Sequence, residues 1–308
     1  MTSRTDTQHL RRRTDLLVAG YLLTTALLAA AFRENVPQWK VLVLAHVVLV
    51  AVIYSLSFLP QKLPGALQFF RDWYPVMMLP LLFKEVEILA AGFGNWGLTG
   101  VLQRLEVSWF AGHPSLYLSE LLPWIPLSEY LHFCYFAYLL LVPAVGGYWY
   151  FTHQRTKFHE LVFLFAVTLT ASYLFFALFP VDSPFYLFPQ LGAPFEGHFF
   201  YDLVHFVSGQ GGARGGAFPS SHVSVATVVF LVVWHRERRL AFVMAPIVAG
   251  LIVATVYGRF HYAIDVVAGL GLAATIFGSY RLSTVRVRSG ETSAGAKRER
   301  PITDTALG

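Results

Sequence analysis

Two short polar clusters in the last third of the chain lie at the N-terminal ends of long apolar runs. They are Pro219-Ser220-Ser221-His222 and His261-Tyr262-Ala263-Ile264-Asp265. Ionisable groups in membrane-spanning runs are expensive in hydrocarbon, and they mark cavities filled with water or substrate. We therefore treat the two clusters as parts of one candidate site.

The second cluster has the spacing of a supported nucleophile. His261 and Asp265 are four residues apart, so on a helix they share one face. The carboxylate then holds one ring nitrogen and fixes the tautomer. The other nitrogen is left free as a nucleophile or a base.

The first cluster has the form of an anion site at the start of a helix. Pro219 suits the first turn, where the backbone N–H groups of Ser220 and Ser221 would be free to bind an anion. His222 follows directly and is positioned to donate a proton to a leaving oxygen.

Three cations are candidate phosphate ligands, namely Arg259, Arg214 and Lys84. Their charge would stabilise the negative charge that develops during phosphoryl transfer. Either arginine is alternatively an ordinary loop arginine. For Lys84, which lies within an apolar run, an ion pair with Glu85, Glu87 or another span is the favoured alternative.

The composition predicts a polytopic membrane protein. Of the 308 residues, 56% are hydrophobic and 13% are charged, whereas about 25% of a soluble domain is charged. The net charge of +5 does not indicate nucleic-acid binding, because the basic residues lie in short clusters between the apolar runs. The single cysteine, Cys134, provides neither a disulfide framework nor a cysteine metal site.

Eight apolar runs approach the length of about 20 residues that a spanning helix needs. They begin near Asp15, Val41, Trp73, Ser128, Glu160, Ser220, Leu240 and Tyr262. Basic residues concentrate in alternate connections, and the positive-inside rule makes that side cytoplasmic. We therefore predict an all-α protein of about eight transmembrane helices in the plasma membrane. Both termini would be cytoplasmic, and both histidine clusters would lie at the outer face.

The chain divides into three predicted parts. Residues 1–69 hold two helices, residues 70–282 form the membrane domain with the site, and residues 283–308 form a disordered basic cytoplasmic tail. Two outer segments are longer than ordinary connections. Segment 92–127 suits an interfacial amphipathic helix, and segment 180–219 is rich in Pro and Gly.

The two clusters resemble motifs of the type-2 phosphatidic acid phosphatase superfamily of membrane lipid phosphatases and phosphotransferases. Its second motif, P-S-G-H, is matched by residues 219–222, with Ser221 in the glycine place. Its third motif ends H-x3-D, as His261 and Asp265 do. Together and in this order the motifs are fairly specific.

Where the chain departs from the superfamily motifs, its residues resemble those of one branch of the superfamily. The usual S-R of the third motif is replaced by Ala254-Thr255, with the arginine displaced to Arg259, and the first motif, K-x6-R-P, has no clean counterpart. The branch with inositol phosphorylceramide synthases has His-Tyr-x-x-Asp and an Arg-Asp-Trp-x-Pro segment, which resembles residues 71–75 here. Arg71 itself falls on the inner side in the predicted topology, so we interpret it as an interface anchor.

The resemblance implies a six-helix core and a phosphohistidine mechanism. His261 would attack phosphorus, Asp265 would support it, and His222 would protonate the leaving group. Water or an acceptor alcohol would then take the phosphoryl group. The implied partner is a lipid phosphate or phospholipid in the bilayer, and no metal or other cofactor is expected.

Two other functions fit parts of the sequence. His198, Asp202 and His205 are spaced so that they would join His222 or His261 in the zinc site of a metal-dependent hydrolase. A non-enzymatic transporter would also line its path with intramembrane polar groups. Transport folds often show paired broken helices in two related halves, and none is evident in this sequence.

Overall fold

The computed structural model describes residues 4–60, 63–93 and 97–298. Within these ranges the chain forms thirteen helices, which confirms the all-α prediction. The helices are α1 Arg4–Ala31, α2 Trp39–Ser57, α3 Gly65–Leu81, α4 Phe83–Phe93, α5 Leu98–Phe110, α6 Pro114–Leu121, α7 Ile125–Phe151, α8 Arg155–Leu178, α9 Pro184–Leu187, α10 Phe199–Gly211, α11 Ser221–Arg236, α12 Arg238–Tyr257 and α13 Ala263–Arg298. Helix α13 therefore enters the predicted tail, and residues 299–308 of that tail lie outside the described ranges.

Among the described residues, six helices are long and apolar enough to cross a membrane, namely α1, α2, α7, α8, α12 and the Ala263–Thr284 part of α13. Helix α11 is apolar but shorter, with 16 residues, or about 24 Å of length. Seven of the eight predicted spans thus correspond to continuous apolar helices. The protein is an all-α polytopic membrane protein.

The third predicted span is wrong as a single helix. The run divides at Leu82, between the end of α3 and the start of α4. Pro75 and Pro80 lie inside α3 and remove backbone donors from it. Glu85, in the first turn of α4, is buried and contacts His46 of α2, with Nε2 and Oε2 2.9 Å apart. The run is therefore divided two residues after Pro80, and its buried acidic group is paired.

Helix α8 lies at the centre of the bundle. It packs against α1, α3, α4, α7, α11 and α13, and α11 in turn packs against α7, α12 and α13. Helices α1 and α2 pack on each other, and α1 attaches them to α8. The two N-terminal helices thus flank a core of α3 with α4, α7, α8 and α11 to α13.

Helices α11 and α13 approach each other closely near their starts. A Cβ atom at Gly269 would lie 2.8 Å from the carbonyl oxygen of Ser220 and 3.3 Å from Oγ of Ser224. A side chain there would force the helices apart. The Ser220 N–H also donates to the carbonyl of Asp265 at 3.1 Å. These contacts fix the two polar clusters relative to each other.

Both long connecting segments are folded in the described ranges. Segment 92–127 contains α5 and α6, and segment 180–219 contains α9 and α10. The ends of the second segment pair through Val181, whose N–H donates to Gly215 and whose carbonyl accepts from Ala217, both at 3.1 Å. Glu129 of α7 accepts the N–H groups of Phe200 and Tyr201 at 3.0 and 2.9 Å, which holds the start of α10.

Charged pairs gather at the end of the bundle opposite the start of α11. Arg236, at the far end of α11, bonds Glu160 with Nε and Oε2 2.6 Å apart, and Lys157 lies 3.5 Å from Glu237. Arg71 was predicted to be an interface anchor. It is instead 4% exposed and donates to the Pro60 carbonyl at 2.7 Å.

Candidate active site

The first polar cluster forms the start of α11. Ser220 is the N-cap, and its Oγ accepts the N–H of Val223 at 3.4 Å. Pro219 therefore precedes the cap rather than lying in the first turn. Ser221 and His222, the first two residues of α11, both line a cavity. The positive end of the helix thus adjoins this cavity, as an anion site requires.

The structure brings the two histidines and the aspartate together. Nε2 of His261 lies 3.3 Å from Nδ1 of His222, and Nδ1 of His261 lies 3.3 Å from Oδ2 of Asp265. The N–H of Tyr262 donates to the same Oδ2 at 2.9 Å. His261 is 4% exposed and Asp265 is fully buried. The convergence predicted for residues on separate helices is thus present in the structure.

The hydrogen bonds define the tautomer of His261. Because Oδ2 of Asp265 already accepts from Tyr262, it acts as an acceptor, so Nδ1 of His261 carries the hydrogen. Burial lowers the pKa of His261 to about 4, so the imidazole is neutral at pH 7. Nε2 then has a free lone pair on the side of His222.

Aromatic rings surround His222. The Tyr135 ring stacks on it with centroids 4.8 Å apart, and the Tyr138 ring is tilted at 4.4 Å. Phe260 stacks in turn on Tyr135 at 4.1 Å and on Phe185 at 5.7 Å. The sequence analysis did not identify these rings. Tyr135 and Tyr138 lie on one face of α7, but such a spacing is equally typical of core packing.

The cavity has a volume of about 320 Å³ and extends from the histidines into the bundle. Along α8 its wall includes Tyr173 and Phe165, eight residues apart, which corresponds to a depth of about 12 Å. Val76 of α3 and Val142 of α7 line the same space. The cavity therefore has histidines at one end and an apolar interior.

Arg259 does not line the cavity. Its guanidinium donates to the carbonyls of Pro189 at 2.6 Å and Leu116 at 3.3 Å, and it lies 3.4 Å from Oε1 of Glu120. The side chain is 7% exposed, and the residue has a left-handed backbone with φ of 61°. In this structure the Arg259 guanidinium therefore joins segment 92–127 to segment 180–219.

Arg214 and Lys84 lie near the cavity rather than beside the histidines. Arg214 is exposed, and its guanidinium carbon lies 5.5 Å from the ring centroid of Tyr186, which lines the cavity. Lys84 is half-exposed, donates to the carbonyl of Gly212 and lies 4.0 Å from Glu87. The ion-pair alternative for Lys84 is thus the one that the structure contains.

A further acidic residue, missed in the sequence analysis, lies behind the second cluster. Glu106 of α5 is fully buried, and its Oε2 accepts the N–H of Ile264 at 3.2 Å. Burial, with a smaller contribution from the nearby Asp265, raises the pKa of Glu106 to about 7. Nothing in the local pattern distinguishes Glu106 from a solvated charge on an amphipathic helix.

The residues of the alternative zinc site do not converge. Asp202 accepts the N–H of Gly197 at 3.2 Å, and Nδ1 of His205 bonds the Tyr201 carbonyl at 2.9 Å. Across the described ranges, no three His, Cys, Asp or Glu side chains are arranged to hold a metal ion. His198, Asp202 and His205 therefore do not join His222 or His261.

Comparison with known proteins agrees with the motif resemblance at the level of the superfamily. No curated protein and no solved structure matches the chain significantly. A family model described as the PAP2 superfamily matches residues 101–279, which is more than half of the 308 residues and includes both polar clusters. The chain therefore belongs to the PAP2 superfamily.

Proposed function

We propose that this protein is a membrane lipid phosphatase or phosphotransferase that acts through a phosphohistidine on His261. The observation that carries the proposal is the position of Nε2 of His261, which lies 3.3 Å from His222 while Asp265 holds the opposite ring nitrogen. Membership of the PAP2 superfamily supports a phosphatase-type reaction.

The first half-reaction is an exchange of bonds at phosphorus. The Nε2 lone pair of His261 forms the P–N bond, the bond from phosphorus to the leaving oxygen breaks, and protonated His222 gives its proton to that oxygen. Asp265 stabilises the positive charge that develops on the His261 ring. In the second half-reaction an acceptor O–H attacks phosphorus, its proton passes to His222 and the P–N bond breaks.

Substrate binding requires His222 to move. Two nitrogen atoms 3.3 Å apart leave no space for a phosphoryl group between them. His222 must therefore rotate away from His261 when the phosphate enters. The first N–H groups of α11, next to Ser220 and Ser221, would then bind the phosphate oxygens. Arg214, exposed beside the cavity-lining Tyr186, is the predicted cation that we assign to them.

The apolar interior of the cavity supports a lipid substrate. A headgroup phosphate at the histidines would place an acyl chain along Tyr173, Leu169 and Phe165 of α8. The depth of about 12 Å accommodates the first part of such a chain, and the remainder would extend toward the bilayer. The phosphoryl group and the chain thus have separate binding regions.

The acceptor is set by the segment 180–219. Phe185 and Ser208 of this segment line the cavity close to the histidines. Access for water alone gives a phosphatase, and access for an alcohol gives a transferase. The similarity of residues 71–75 and 261–265 to the inositol phosphorylceramide synthase branch favours an inositol phosphate headgroup as the transferred group and a lipid alcohol as the acceptor.

We place the site at the outer face of the plasma membrane, with both termini in the cytoplasm. The support is the distribution of charge, since Lys157 and Arg236 lie at the end of the bundle opposite His222. Arg11, Arg12 and Arg13, near the start of α1, belong to the same predicted side.

The test is turnover by the purified protein in lipid vesicles. Lipid phosphates and phospholipids are supplied with and without a lipid alcohol such as ceramide, and free phosphate and new lipid species are measured by mass spectrometry. We expect one of these products from the wild type, none from His261→Ala, and wild-type amounts from the control His9→Ala, which alters an exposed residue of α1. A folded wild type that forms neither product across the panel would contradict the proposal.

A further inference from the structure

The inner face of α5 contacts the backbone between His261 and Asp265. Glu106 accepts the N–H of Ile264 at 3.2 Å, and Gln103, one turn earlier, donates from Nε2 to the Tyr262 hydroxyl at 2.9 Å. One short helix thus binds the catalytic turn at two points.

The surroundings of Glu106 are unusual for a charged side chain. It is fully buried. The groups that face it are the Asp265 carboxylate and the start of α13, the Tyr262 hydroxyl, and His113, whose Nδ1 lies 3.9 Å from Oε1. Oε1 accepts no hydrogen bond. A second carboxyl group beside Asp265 costs folding stability, since burial disfavours its charge. An apolar side chain would fill the same space without this cost.

The outer face of α5 is apolar and exposed. Val101, Leu105 and Trp109 are spaced i, i+4, i+8 and are 41%, 41% and 60% exposed. In an interfacial helix such a stripe lies toward the lipid, which leaves the opposite face, with Gln103 and Glu106, toward α13. The position of Glu106 is therefore fixed from both sides of its helix.

We propose that Glu106 is a positioning residue, which holds the turn from His261 to Asp265 through the Ile264 amide and adds negative charge behind Asp265. This inference rests on the proposed phosphohistidine mechanism. The ionised carboxylate binds the positive start of α13 and favours the cation that forms on the His261 ring. Because the pKa of Glu106 is raised to about 7, this side chain changes between its protonated and ionised forms within the working pH range.

The kinetic test compares Glu106→Gln with Ser108→Ala, a control that alters an exposed residue of the same helix. We expect Glu106→Gln to lower kcat about tenfold, in line with one hydrogen bond to a charged group, and to leave KM within twofold. In the wild type kcat should rise with pH through about 7 as Glu106 ionises. This step should be absent from Glu106→Gln and present in Ser108→Ala.

A second test needs no substrate. Hydrogen exchange of peptides covering residues 261–266 is compared between the wild type, Glu106→Ala and Ser108→Ala. We expect faster exchange at the Ile264 amide only in Glu106→Ala, because its acceptor is removed.

The outcomes separate this inference from the proposed function. Wild-type kcat and an unchanged pH profile in Glu106→Gln, in preparations where His261→Ala is inactive, would overturn the inference alone. If the wild type turns over no lipid, the proposed function fails. Unchanged exchange at Ile264 in Glu106→Ala would then refute the positioning role as well.

Discussion

Replacement of Asp265 by Asn tests the electrostatic part of the site, because the hydrogen bonds survive it. Oδ2 accepts from both His261 and Tyr262, whereas the buried Oδ1 has no partner. The asparagine oxygen will therefore take the Oδ2 position, so both hydrogen bonds are kept while the charge is lost. Full unit charges 3.3 Å apart attract by about 5 kcal/mol at an effective dielectric constant of about 20. If about half of the charge has developed in the transition state, the loss is about 2.5 kcal/mol, or roughly 70-fold in kcat.

The assay is phosphate release or lipid transfer by Asp265→Asn in the same vesicles as the wild type, with the thermal unfolding temperature measured in parallel. The unfolding temperature should not fall, because the substitution removes a fully buried charge. Asp202→Asn is the matched control, since Asp202 is exposed on α10. A kcat within threefold of the wild type would refute the role that we assign to the Asp265 charge.

Three further predictions concern stability. Gly269→Ala should destabilise the protein by about 1–3 kcal/mol and lower activity, because the new Cβ meets the Ser220 carbonyl; an unchanged unfolding temperature would contradict this. Glu85→Leu should cost about 1–3 kcal/mol because Nε2 of the buried His46 loses its partner. The double variant with His46→Leu should recover most of this loss in a denaturation series. The pKa of Glu106 is raised from 4.5 to about 7. The free energy of unfolding that Glu106 contributes should therefore fall by on the order of 3 kcal/mol as the pH rises through this interval. If the free energy of unfolding changes equally with pH in the wild type and in Glu106→Gln, this prediction is wrong.

Much of the site was predictable because helix ends share a membrane face. His222 heads α11 and His261 precedes α13, and both helices begin at the same end of the bundle. The number of predicted spans between the two histidines therefore predicts that they lie close together. The four-residue spacing also predicts the contact between His261 and Asp265, although His261 lies just before α13 rather than on its face. Local spacing and topology together were sufficient for these three residues.

The cations were less predictable, because their partners come from distant segments. Arg259 stands two residues before His261, yet its guanidinium binds carbonyls at Pro189 and Leu116. The left-handed backbone at Arg259 gives its side chain a direction that sequence spacing does not reveal. Lys84 similarly contacts Gly212, 128 residues away. Proximity in sequence to a catalytic group is therefore weak evidence for phosphate binding.

The aromatic wall and Glu106 depend on tertiary packing alone. Tyr135 stacks on His222, and Glu106 binds the Ile264 amide, across separations of 87 and 158 residues. An aromatic residue in an apolar helix predicts core packing, and a glutamate in an amphipathic helix predicts a solvated face. Only the docking of α5 on α13 and of α7 on α11 reveals their neighbours.

Detection of the phosphorylated enzyme tests the central claim most directly. An aryl phosphate ester, whose leaving group needs no proton, is mixed with His222→Ala, and the quenched protein is digested under alkaline conditions that preserve phosphohistidine. We predict phosphate on the peptide that contains His261, in an amount approaching one per protein, because His222 is absent when water must be activated. No phosphate on His261 in a preparation whose wild type turns over substrate would contradict the account.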